Sequence, residues 1–151
     1  RRMAANMPLT YPVPVTAPGI DADQLVGLPT WLWVDPASWE PVELSQSLGP
    51  MTITVTAEPT RVEWALGDDS VTCHGPGTPW DPDGHDDQQT ACSYTFQHVS
   101  PSVAGTATVV WDVSYTATGY PRESLGENSS ATAFDLTVTE RQAVVCYADC
   151  T

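Results

Sequence analysis

Asp81-Pro82-Asp83-Gly84-His85-Asp86-Asp87 places four carboxylates within seven residues. Clustered carboxylates and carbonyls on a flexible loop are the donors that calcium takes. Asp81, Asp83, Asp86 and Asp87 are therefore the candidate ligands, for a weak calcium site at most. The loop pattern is incomplete, because the twelfth place from Asp81 is Cys92 and not a glutamate. The run reads first as a solvated acidic loop, with no metal and no cofactor expected. Cys73-His74, Cys92 and His98 can be drawn as a zinc set, but their spacing fits none of the common zinc patterns. Asp68 and Asp69 sit at a strand-end turn, where aspartates usually bond their own backbone. Three histidines occur, yet no Gly-x-Ser-x-Gly elbow accompanies them. Carboxylate pairs for glycoside chemistry are defined by separation in space, so chance pairs are expected among so many acids. No catalytic residue is assigned, and the chain is read as a non-enzyme.

The aromatic residues carry more. Trp31, Trp33 and Trp39 fall within nine residues, and Trp80 follows Thr78-Pro79 in a long loop. Such tryptophans either pack a core and cover a sheet edge or form a platform for a partner. Upstream, Tyr11-Pro12-Val13-Pro14-Val15 is extended, polyproline-like chain with apolar residues and no core of its own. Tyr11, Val13, Val15, Trp31, Trp33, Trp39 and Trp80 are the candidate partner-binding residues. A proline-rich arm that adds a strand to a partner's sheet is one way to use them. A glycan-binding module using Trp80 and Tyr120 is the alternative.

Charge narrows the partners. The chain has 151 residues, 19 of them acidic, with five arginines, no lysine and a net charge of −14. Phosphate binding needs a basic footprint, so nucleic acid is excluded as a partner. Anionic membrane surfaces are disfavoured for the same reason. No apolar run approaches the ~20 residues of a membrane span, and no membrane insertion is expected. Arg1 and Arg2 lead into proline-rich chain with no apolar signal region, as expected of a mature form. Cys73, Cys92, Cys146 and Cys150 make an even set, which fits an oxidising compartment and a secreted or cell-surface protein. Three pairings are open. The sequence-local one joins Cys73 to Cys92 and Cys146 to Cys150, the second across a tight Cys146-Tyr-Ala-Asp-Cys150 clamp.

These residues must be held by strands. Residues 1–30 show no periodicity and are expected to form an extended proline-rich arm, floppy or laid on this domain or another chain. Residues 31–151 are expected to form one domain. Thr30-Trp31-Leu32-Trp33-Val34 makes a short apolar strand stopped by Asp35-Pro36. Met51, Ile53, Val55 and Ala57 alternate with Thr52, Thr54 and Thr56, as a half-buried strand does. Glu58-Pro59 is expected to turn the chain before Val62, Trp64 and Leu66. Residues 94–96 and 107–116 supply further strands, a polar loop is expected from Gly119 to about Ser130, and Phe134, Leu136 and Val138 close the pattern. A bulge near Glu140-Arg141 would explain a slip of apolar phase. About seven strands with turn signals and no helical periodicity describe an all-β sandwich.

Trp64-Ala65-Leu66-Gly67-Asp68-Asp69, then Tyr94-Thr95-Phe96, then Gly105-Thr106-Ala107-Thr108-Val109 resembles the PKD (polycystic kidney disease) domain, over roughly residues 40–145. Asp69 and Ala107 depart from that family's usual glycine and tyrosine, and a cysteine-flanked insertion separates the first two motifs. The stretch from Gly27 to Pro36 and the loop between Cys73 and Cys92 look similar to PKD-like secreted proteins of actinobacteria. The resemblance implies an immunoglobulin-like sandwich acting as a non-catalytic extracellular spacer, adaptor or adhesion module. Its expected partners are other secreted or surface protein subunits.

Overall fold

The computed structural model describes residues 8–84 and 88–140. Among them are nine strands: β1 (Pro14–Ala17), β2 (Asp23–Leu25), β3 (Pro29–Val34), β4 (Val42–Leu48), β5 (Met51–Leu66), β6 (Asp69–Cys73), β7 (Ser93–Thr95), β8 (Ser100–Ala117) and β9 (Tyr120–Thr139). One 3-10 turn, Pro36–Trp39, follows β3, with Asp35 accepting from the Ala37 amide. No α-helix occurs among the described residues.

The strands form two sheets. The smaller has the order β1-β3-β7; the larger has the order β2-β9-β8-β5-β4, with β6 also paired to β5. The all-β sandwich expected from the alternating sequence is what the chain forms. Leu32 and Val34 of the small sheet face Val62, Trp64, Ala107, Val109, Trp111, Leu136 and Val138 of the large one, and all are buried. Burial of such side chains contributes about 1.5–3 kcal/mol each.

β5 and β8 show how one long strand keeps one face inward. Pro59 pairs with Trp111 and Arg61 with Val110, leaving Thr60 as an extra residue. This bulge shifts the inward phase from Val55 and Ala57 to Val62, Trp64 and Leu66. The turn expected at Glu58-Pro59 is therefore a bulge within a continuous strand. The polar loop expected from Gly119 to Ser130 is likewise strand: residues 120–130 pair with β8. They read as loop because most are exposed, so no apolar alternation marks them. The expected bulge near Glu140-Arg141 and the Cys146–Cys150 pair lie outside the described residues.

The expected boundary after residue 30 is replaced by a continuous structure. β1 pairs with β3 and β2 runs parallel to β9. Pro12 is fully buried. The Trp111 indole N–H donates to the Ser130 hydroxyl at 3.0 Å, which donates to the Thr10 carbonyl at 2.8 Å. The Thr132 hydroxyl donates to the Pro12 carbonyl. Extended chain leaves its carbonyls unpaired, and here hydroxyls on β9 pair them. From Thr10 onward the arm is thus laid on its own domain, not held out toward another.

Cys73 and Cys92 form a disulfide with a Cα–Cα distance of 5.6 Å. Cys73 ends β6 in the large sheet, and Cys92 immediately precedes β7 in the small one. The bond therefore ties the two sheets and staples the ends of the long loop between them. With both sulfurs committed to each other, the zinc set drawn from Cys73, His74, Cys92 and His98 loses its two thiolates.

Candidate functional site

The candidate partner residues converge through strand register. Val15 pairs with Trp33 and Ala17 with Trp31, while Thr16 pairs with Leu32 and Pro14 with Val34. Opposed residues of an antiparallel pair share a face. Since Leu32 and Val34 lie in the core, Val15, Ala17, Trp31 and Trp33 stand on the outer face. The Asp35 amide donates to the Val13 carbonyl, extending this ladder toward the N-terminus. Val13 is 53% exposed and Tyr11 70%, on either side of buried Pro12.

The long loop supplies the far wall. Val34 donates its amide to the Pro76 carbonyl at 2.8 Å and Leu32 to the Cys92 carbonyl at 3.1 Å. These bonds continue the β3 edge beyond its pairing with β7. Gly77 lies so close that a Cβ there would be 2.4 Å from the Leu32 carbonyl oxygen, and its φ is +91°. Only glycine meets both demands without strain. This approach carries Trp80 onto Trp31, edge to face, with ring centroids 5.0 Å apart. Gln88 fixes the next residue: its side chain accepts from the Asp81 amide and donates to the Asp81 carbonyl. Gly77→Ala is expected to cost about 2–4 kcal/mol, as strain at positive φ adds to overpacking. It should also raise acrylamide quenching of tryptophan fluorescence as Trp80 leaves Trp31. Unchanged stability and quenching would contradict this packing.

Between these walls lies an open groove of about 820 Å³. Val15, Pro18, Leu28, Trp31, Trp33 and Trp80 are among the residues that line it. None of its lining residues is titratable. Trp31 and Trp33 are nearly buried, whereas Trp80 is 37% exposed, so the tryptophans form a corner and not a flat platform. Trp39 is not part of it; it sits in the 3-10 turn and packs against the core. Tyr120 lines a different cavity with Tyr115 and Glu123 at the β8–β9 hairpin, so Trp80 and Tyr120 do not share a site.

The acidic loop organises itself. The Asp81 carboxylate accepts from the Asp83 amide, the usual turn role of aspartate. Asp86 and Asp87 lie outside the described residues. Among the described residues no three metal-binding side chains cluster.

The motif that carries the PKD resemblance forms a second polar link between the sheets. Gly67, at φ +65°, opens the two-residue turn between β5 and β6, as hairpins with glycine first require. Asp69 begins β6 and accepts from the Tyr94 hydroxyl of β7. This hydrogen bond, then burial, then the carboxylate charge push the Tyr94 phenol above its ordinary value. The folded state thus favours the neutral phenol. Its contribution is fully present below about pH 10, the unfolded value, and is lost as pH rises through the higher folded value. Asp69→Asn is expected to lower the Tyr94 transition in a tyrosinate absorbance titration; an unmoved transition would contradict the link.

Comparison with known proteins gives no match: no family model, no curated protein and no solved structure is similar to this chain. No helix among the described residues is long and apolar enough to cross a membrane.

Proposed function

We propose that this chain is a non-catalytic extracellular module, of the PKD-like immunoglobulin type its motifs resemble, that assembles with other secreted or surface proteins. The docking surface is the outer face of the three-stranded sheet. The observation that carries this reading is convergence: Val15, Trp31, Trp33 and Trp80 line one groove, and Val13 continues its β1 side. Tryptophans at the centre of a patch are the usual anchors of protein interfaces. A groove of this volume with apolar walls has the character of a binding site, and none of its lining residues is a titratable acid or base. The disulfide between the sheets suits an oxidising, extracellular setting. The N-terminal arm is then part of the receiving surface and not the element that reaches out.

The test is size-exclusion chromatography with mass spectrometry on the protein from its native secretions, beside a Trp80→Ala variant. Wild type should co-elute with a specific protein far above its own 16.2 kDa, and the variant should not. Monomeric elution of both would overturn the proposal. Binding to cell-wall polysaccharide that is lost with Trp80→Ala would instead establish the glycan reading.

A further inference from the structure

We infer that the groove takes a partner segment bearing an arginine or lysine side chain, whose cation packs on the Trp80 and Trp31 corner. This deepens the docking reading above and rests on it. Charge complementarity selects the occupant. No lining residue of the groove carries a charge, so nothing within it competes for or repels an incoming ion. The charged residues that adjoin it in sequence are acidic and exposed: Asp81 follows Trp80, Asp83 lies two further on, and Asp21 lies two beyond Gly19.

The described arginines are held elsewhere. Arg61 on β5 pairs with Glu63 and Glu127, each at 3.0 Å, and the Arg122 guanidinium on β9 donates to the Ser114 hydroxyl. The chain as a whole carries −14. An acidic molecule with low-dielectric, uncharged walls around three indoles attracts a cation and repels an anion. The exposed indole face of Trp80 then holds it by cation–π contact, arginine best because its planar guanidinium stacks.

Calorimetric titration of the full chain with three short synthetic peptides tests this. All carry alternating valine and proline around one central residue: arginine, its neutral isostere citrulline, or glutamate. The arginine peptide should bind most tightly, and citrulline should weaken it roughly 2- to 30-fold, the range a cation–π contact spans. Its affinity should fall as salt rises, and Trp80→Ala should reduce it to the citrulline level. Equal binding of arginine and citrulline peptides, or preference for glutamate, would overturn the inference. If no peptide binds while the native complex still depends on Trp80, the basic-segment inference fails and the docking reading stands. If the native complex is indifferent to Trp80→Ala, both fail.

Discussion

Trp111→Ala should destabilise the protein by about 3–5 kcal/mol, the cost of removing a fully buried tryptophan from a packed core. Trp111 has no solvent exposure. Its place on β8 is opposite Pro59, next to the Thr60 bulge that changes the phase of β5. The indole also does polar work. Its N–H donates to Ser130, and Ser130 donates to the Thr10 carbonyl. Removing the ring therefore opens a cavity and loosens the first link that holds residues 10–13 onto β9. A milder variant separates these effects. Ser130→Ala keeps the ring but strands its buried N–H and the Thr10 carbonyl, at about 1–3 kcal/mol. Chemical denaturation with a common slope would measure both. In Ser130→Ala, proteolysis near residues 8–13 should speed up while the core stays folded. A Trp111→Ala loss below about 1 kcal/mol would mean that this core is not packed as described.

Removing the Cys73–Cys92 bond should have the next largest effect, about 3 kcal/mol for a loop of this size. For a domain of this length that corresponds to a fall in melting temperature of roughly 6–12 °C. The bond closes a segment with a sequence separation of 19, and constraint of the unfolded chain supplies part of the stabilisation. Its position makes the consequence specific. Cys92 lies where the loop rejoins β3, its carbonyl accepting from Leu32, and Pro76 accepts from Val34 a few residues after Cys73. Without the staple, the segment carrying Gly77 and Trp80 is held by those bonds and by the packing of Trp80 on Trp31. A Cys73→Ala, Cys92→Ala double variant should therefore unfold earlier, and even when folded it should lose Trp80 packing on Trp31. Calorimetry and acrylamide quenching read the two effects. A variant with wild-type melting and quenching would contradict the role given to the bond.

The fold class was legible because period-two alternation is strong wherever one sheet face is buried. Val62, Trp64, Leu66 and the odd-numbered apolar residues of β8 show it. Legibility failed where burial changes. Residues 120–130 are strand without an inward apolar face, so they carry the composition of a loop. β4, absent from the sequence reading, is mostly exposed for the same reason. β1 and β2 hid behind proline and aspartate, residues that discourage strands but are tolerated at strand ends and sheet edges. Gln24 illustrates the limit of composition. It is fully buried, donating to the Pro18 and Gly19 carbonyls and accepting from Thr30, and nothing in Asp23-Gln24-Leu25 marks it as an interior residue.

The candidate site was legible as a set of residues but not as a place. Tryptophan content and the Pro79-Trp80 loop identified the indoles. Their meeting depends on the register of β1 against β3 and on the close approach of Gly77, which are tertiary facts. Trp39 takes the core-packing role and not the groove, because strand alternation ends at Asp35 and the 3-10 turn places Trp39 against the core. The arm takes one of the three courses its sequence left open. Its apolar residues lack a core of their own, but the hydroxyls of Ser130 and Thr132 and the edge of β3 supply its partners within the chain.

Hydrogen exchange of the native complex against the free protein, read peptide by peptide, tests the docking face most directly. The account predicts new protection at residues 13–19, 28–33 and 76–81, with little change along β4 and the β8–β9 hairpin. Protection confined to that hairpin or to β4, with the tryptophan groove unchanged, would contradict it.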